Sequence, residues 1–519
     1  MNNTQKKEGS DVLQASTDVG SCIVSESTLP EAVHIPLKIA NRALRDIKSI
    51  LRQIRRFTNM PFEELKAYLQ AHPRDTFCEI PHPNGGHLYC GRIGWTKLGA
   101  LTELCLNLDP RLRRRIRHNQ ALKAVIDSFV SLFSQTSCAL NEVSAGQLLQ
   151  DSLRKLRLSL VVTEHYVPCV LFPDGPLSEF SIGPVTFTRR RQFFKNKKAE
   201  FRRSAEMNTA AHIEFINAKV AQGFPRDRML NKKESRRLVR NLQARSIRIY
   251  RDYPWVASVK VIDCDSETSK AHALESVNMA LNVIRVLLGA DATRKLRSAW
   301  SQSNTLKKAH LHADSNGIIS SSLSSESDAP VGVINWDKAL HRANWELAIL
   351  GSALNSIVDP KEISPLSQRL LDAVHWYGDA VMDSNPPASI IKYITVIERL
   401  FFGAYNQGHT KNFALRVSSV LDAFDCNSDN RAQEHATTIY QARSSLLHGA
   451  GSPTLDASYE HLRVAAELSR LCILCSAQIY PMMSSAFDNP DPAKLEETMK
   501  RICNEGTDWL AEAAGYNKR

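Results

Sequence analysis

No run in this chain of 519 residues is long and apolar enough to cross a membrane. The two best stretches are interrupted, one by Glu164 and His165 and the other by Arg285, and charge inside a span is costly. Residues 1–9 are polar, so no export signal is read there. Eleven cysteines, an odd number without regular spacing, are most simply reduced thiols in a cytoplasm rather than a disulfide framework. There is no Walker-type phosphate loop, no dinucleotide fingerprint and no His-Glu-x-x-His run. A strong internal repeat and a recognisable helix-turn-helix are also missing. What is present is 43% hydrophobic and 23% charged, an ordinary globular composition with core enough for two or three domains.

Charge is unevenly placed. Residues 331–519 hold 17 Lys/Arg and 22 Asp/Glu, a net of −5, whereas residues 1–330 hold 49 and 32, a net of +17. A mildly acidic C-terminal part is therefore joined to a strongly basic region suited to a polyanion.

Patterning divides the chain further. Residues 1–30 read as a disordered leader, and residues 31–311 as a basic α+β region with few strands and many helices. Strands are expected over 157–172, 180–187 and 255–261, and charged helix over 197–246. Residues 312–334, rich in serine, read as a linker or loop. Residues 335–485 read as successive helices, and 486–519 as a terminal helix and tail. The fold class expected is mainly α, an antiparallel helical bundle preceded by the basic α+β region.

The most informative segment is 437–449. Ala436, Ile439, Tyr440, Leu446 and Leu447 recur at helical spacing, and Gly449 is placed to close the helix in the left-handed conformation. Arg443 falls inside that apolar stripe, where a guanidinium is expensive unless paired. His448 falls in the last turn, at the negative end of the helix dipole. Together they offer a fixed cation and a group that can move protons. Ser444 and Tyr440 lie one helical step from the pair and read as supporting groups.

This arrangement resembles the Arg-x4–6-His motif of HEPN domains, in particular the Apea-like group. Arg443 and His448 match it with four residues between them, a tyrosine before and a glycine after. An earlier helix over 390–402, aromatic-rich and carrying Glu398, matches the family's acidic helix. The bare spacing also occurs at Arg111 and Arg113 with His118, and at Arg369 with His375, so context carries the resemblance. It implies a homodimer in which two Arg/His motifs line one cleft and cleave RNA without metal or cofactor. The 2′-hydroxyl attacks the adjacent phosphorus, with His448 moving a proton, Arg443 holding the phosphate, and Glu398 as a structural or orienting partner. It further implies a cytoplasmic role in anti-phage defence by abortive infection, released by a phage-derived trigger.

Basic stretches supply the candidate nucleic-acid contacts. They are Arg113, Arg114 and Arg115; then Arg189, Arg190, Arg191, Lys197 and Lys198; then Arg236, Arg237 and Arg240. The second group is interleaved with Phe187, Phe193, Phe194 and Phe201, which either stack on bases of a single strand or pack in the core. Cys78, His82, His87 and Cys90 flank a Pro/Gly loop but match no strong zinc template, and Cys472 and Cys475 read as helix packing. No metal site is assigned. The rival reading is a non-catalytic HEPN module that dimerises or binds nucleic acid; a DNA-binding regulator would rest on charge alone. An Arg443/His448 pair opening on a cationic cleft favours the enzyme. Arg443 buried on Glu398, with His448 alone in water, favours the module.

Overall fold

The computed structural model describes residues 34–72, 78–81, 86–133, 139–172, 175–223, 225–226, 229–299, 307–313, 319–325, 335–360, 364–403, 409–428, 430–449 and 459–516. The leader expected over residues 1–30 lies outside them. The protein is mainly helical with a small sheet region.

Four helices, Leu37–Thr58, Arg92–Leu108, His118–Phe133 and Glu142–Leu158, build an N-terminal core around Ile47, Ile50, Leu101, Phe129 and Leu149. Leu37–Thr58 buries Ala40, Ala43, Leu44, Ile47, Ile50, Ile54 and Phe57, spacings of three and four that make one stripe. Glu142–Leu158 starts where a capping box fixes it. The Asn141 side chain accepts from the Ser144 amide at 2.9 Å, and Ser144 Oγ accepts from the Asn141 amide.

A five-stranded antiparallel sheet follows, in the order Glu179–Ile182, Val185–Arg189, Trp255–Cys264, Val161–Val170, Arg297–Ser298. The helix Ser266–Leu288 lies against it and is buried on the opposite side as well, by the helix Pro365–Met382. This central helix keeps Glu267, Lys270 and Glu275 of its N-terminal half exposed, but from Ser276 to Val286 every residue except Asn278 is buried, the signature of a helix segment between two layers. Arg285, which interrupts that run in the sequence, is 1% exposed. Its guanidinium donates to Asn282 Oδ1 at 2.6 Å and to the Leu296 carbonyl, and burial pushes its pKa down to about 10.

Beyond the central helix come Pro365–Met382, Pro386–Phe401, His409–Ala423, Ala432–Leu447, Tyr459–Ala486 and Pro492–Glu505. Pro365, Pro386 and Pro492 stand in the first turns of their helices.

The domain boundaries differ from those expected. One apolar core spans residues 43–156, and a second runs without a break from Val167 in the sheet to Leu510. The sheet thus shares its core with the C-terminal helices, through the central helix. Leu495, Met499, Ile502 and Leu510 are at most 1% exposed, so the terminal helices are part of that core and not a tail. Lys307–Ala313, most of which precedes the serine-rich segment, pairs antiparallel with Ile319–Ser325 inside it, from Lys307↔Ser325 to Ala313↔Ile319. A ladder is made by main-chain groups, which a serine-rich composition does not forbid.

Glycines mark the contact between sheet and helices. Gly183, with φ +53°, forms the turn between two strands, and a Cβ there would overlap the Gly351 carbonyl. A Cβ on Gly351 would stand 2.7 Å from the Gly183 amide nitrogen. Gly351→Leu is therefore expected to lower stability by about 2 kcal/mol, as overpacking does, whereas Gly99→Ala, with open space around it, is expected to be neutral. Urea unfolding of both variants measures this.

Candidate active site at a helix terminus

The helix Ala432–Leu447 buries Ala432, Ala436, Ile439 and Tyr440 and ends at His448, with Gly449 at φ +71°. The left-handed glycine is the closure expected of it. The His448 amide donates to the Ser444 carbonyl at 3.0 Å, and the imidazole is exposed. Arg443 and Glu398 each keep 25% of their side chain exposed, and Arg443 Nη2 donates to Glu398 Oε2 at a long 3.4 Å. The guanidinium lies 5.5 Å from the centre of the Tyr440 ring, which packs on Phe413 at 4.8 Å. Its Nε is buried and makes no hydrogen bond among the described residues.

Neighbouring contacts hold Glu398 in place. Arg399 pairs with Asp372 at 2.6 Å. Arg369 is buried, and its guanidinium donates to the Arg399, Phe402 and Gly403 carbonyls at 2.7, 2.9 and 3.2 Å. A cation on those carbonyls closes the C-terminal end of Pro386–Phe401. Sequence reasoning missed both residues. Arg369 was visible only as a spurious spacing match with His375.

Within one chain, Arg443 is thus paired with Glu398 and His448 stands in water. Five residues apart on a helix, the two side chains leave the axis roughly 140° apart. One protomer does not bring them to a single point.

The basic residues divide into those engaged in the fold and those presented to solvent. Arg115, 14% exposed, joins the Asp263 carbonyl at 3.2 Å to Asp359 at 3.4 Å. Arg189 donates to the Phe172, Gly175 and Leu177 carbonyls and lies 4.2 Å from the Trp255 ring. Arg190 donates to the Arg251 carbonyl. Lys197 pairs with Glu200 at 2.9 Å and Glu164 at 3.5 Å. These four, expected as nucleic-acid contacts, are part-buried and make contacts within the fold. Arg113, half exposed, is shared by Glu103 and Asn107, both at 2.8 Å. Arg114, Arg191, Lys198, Arg236, Arg237 and Arg240 are exposed.

The phenylalanines follow the core reading. Phe187 and Phe193 are buried. Phe193 and Phe194 join Tyr166, Phe201 and Tyr250 in one aromatic cluster, with ring centres 5.0–6.5 Å apart. That cluster roots a helical arm, Lys198–Ala221 packed on Lys232–Ile249. Of the described arm residues only Thr209, Ile216 and Ser235 are buried. Residues 190–252 carry 18 Lys/Arg and 6 Asp/Glu, a net of +12 that equals the net charge of the whole chain. A groove of about 540 Å³ between the two helices is lined by Arg202, Lys232, Arg236 and Arg240, with Glu206 and Glu214.

Cys78 and Cys90 face each other in the hairpin Cys78–Pro81/His87–Cys90. Burial raises both thiols, Cys90 to about 12. Among the described residues no three His, Cys, Asp or Glu side chains form a group that could hold a metal, and His82 lies outside them. Cys472 and Cys475 are buried in Tyr459–Ala486. No helix among the described residues is long and apolar enough to cross a membrane. No family model matches the chain, and comparison with curated proteins and with solved structures finds no match.

Proposed function

We propose that the protein is a HEPN-type endoribonuclease that cleaves RNA without metal, acting as a homodimer through the C-terminal bundle. The observation that carries this reading is the helix terminus itself. An arginine with a buried, unbonded Nε and a long pairing to Glu398 stands near an exposed histidine held by a left-handed glycine. In the proposed reaction the 2′-oxygen bonds to phosphorus and the bond to the 5′-oxygen breaks. His448 takes the 2′-hydroxyl proton or supplies one to the leaving oxygen. Arg443 neutralises the charge that grows on the phosphoryl oxygens. The products are a 2′,3′-cyclic phosphate and a 5′-hydroxyl. The 140° divergence of the two side chains is the reason to invoke a second copy, whose Arg443 would complete the site of the first His448. The arm, with its concentrated positive charge, would hold the RNA backbone. Anti-phage defence by abortive infection, with a phage-derived trigger, is the biological setting the resemblance offers.

A second reading has an observation of its own. The Arg443–Glu398 pair and the solitary His448 also suit a bundle that only dimerises or binds nucleic acid. Incubation with total cellular RNA in EDTA, with and without infected-cell extract, separates the two. Cyclic-phosphate ends, absent when the scissile nucleotide is 2′-deoxy, support the nuclease. An intact RNA pool under both conditions, with RNA still bound, supports the module.

A further inference from the structure

Three histidines and three arginines from distant parts of the chain line one cleft of about 640 Å³. Arg113 and Arg114 come from the tight turn Pro110–Arg114, Arg117 follows it, and His118 opens the helix His118–Phe133. His272 comes from the central helix and His375 from Pro365–Met382. The cleft therefore lies on the seam between the two apolar cores. The Arg-x4–6-His spacing that recurs away from Arg443 brings His118 and His375 to this same cleft, while Arg369 turns inward to helix carbonyls.

The lining carries three arginines against two carboxylates, with Glu275 3.6 Å from His272 and, outside the lining, Asp379 3.8 Å from His375. The Arg117 side chain is exposed and has no carboxylate partner among the described residues. Of the lining side chains only Glu275 and Asp372 are acidic, and Asp372 is already held by Arg399. Glu103, outside the lining, lies 2.8 Å from Arg113 and 3.5 Å from His118. His272 Nε2 contacts the Arg114 carbonyl at 3.0 Å, which braces the arginine turn against the central helix. No Phe, Tyr or Trp ring lines the cleft, so nothing in it provides a stacking platform for a base. Guanidinium forks are phosphate-binding chemistry, and the volume falls in the range of small-molecule sites.

We propose that this cleft binds a ligand with two or more phosphoryl groups, of nucleoside di- or triphosphate size, recognised through its phosphates and not its base. The proposal is independent of the nuclease reading. Calorimetric titration of the full chain with pyrophosphate, ADP, ATP, GTP and adenosine tests it. Pyrophosphate and the three nucleotides are expected to bind, ATP and GTP with similar affinity, and adenosine not at all. The exposed pair Arg114→Gln/Arg117→Gln is expected to weaken pyrophosphate binding at least about tenfold, the scale of a lost charge-assisted hydrogen bond. His375→Gln is expected to weaken it from the other wall, and Arg236→Gln/Arg240→Gln in the arm to leave it unchanged. Adenosine binding as well as ATP, absence of pyrophosphate binding, or loss through the arm pair instead of the cleft pair would each overturn the proposal.

Discussion

Alanine at His448 is expected to reduce metal-independent RNA cleavage by roughly 10²- to 10⁴-fold, the range of a lost general acid or base, with no change in melting. The separation of the two effects follows from place. His448 is exposed beyond the last helical turn, and surface substitutions shift stability little. Arg443→Ala is expected to remove activity as well, but with some loss of stability, because Glu398 would keep a partly buried carboxylate without its cation. Both residues are a quarter exposed, so solvent screens the pair and that loss should be small. Arg443→Lys keeps the charge but not the fork, and should fall between wild type and alanine. Mixing His448→Ala with Arg443→Ala protein is the sharper measurement. If the site is shared across a dimer, mixed dimers recover one intact pairing and part of the activity; if each chain acts alone, mixing recovers nothing.

The largest effect on stability is expected at Arg416. This side chain is 4% exposed, pairs with Glu496, donates to the Phe401 carbonyl at 2.6 Å and lies 4.3 Å from the centre of the Phe402 ring. Glu496 also accepts from the Gly403 amide at 3.3 Å. One buried pair therefore ties the helix Pro492–Glu505 to the middle of His409–Ala423 and the end of Pro386–Phe401. Removing one partner strands the other, so Arg416→Ala should cost about 3–5 kcal/mol. The pair also sets a pH dependence. Burial pulls the Glu496 carboxyl up, but the hydrogen bond and charge of Arg416 outweigh it and hold the group below its ordinary 4.5. A carboxyl lowered on folding contributes stability above its unfolded value and loses it as pH falls through the folded one. Wild type and Arg416→Ala should accordingly converge in urea midpoint as pH falls below 4.5. A constant gap across that range would mean that the pair holds little energy.

Much of the helical half was legible because local signals there agree. Proline opens helices, glycine closes the one that ends at His448, and apolar spacing of three and four marks each buried face. The link between sheet and helices was not legible, since it depends on which faces of Ser266–Leu288 are covered, and the residues that recur along those faces do not say by what. The pairing of some basic residues was hidden for a related reason. Arg115 is neutralised by Asp263 and Asp359, which lie 148 and 244 residues away, so its charge counts as free in any local window. Arg189 and Lys197 were taken up in the same way by carbonyls and by Glu164. In the arm, no described carboxylate forms an ion pair with Arg202, Arg236 or Arg240, and there the local count holds.

The seam between the two cores has a consequence for how the molecule comes apart. Across it run polar ties: Arg115 to Asp359, the Arg117 amide to Asp265, Asn119 to Glu267, and His272 to the Arg114 carbonyl. These ties are few, while each core is cohesive. Cooperativity should therefore stop at the seam, and residues 34–158 should open as one foldon without dragging the sheet and bundle with them. Scanning calorimetry should resolve two transitions, and an anion lodged between the units would draw them together into one.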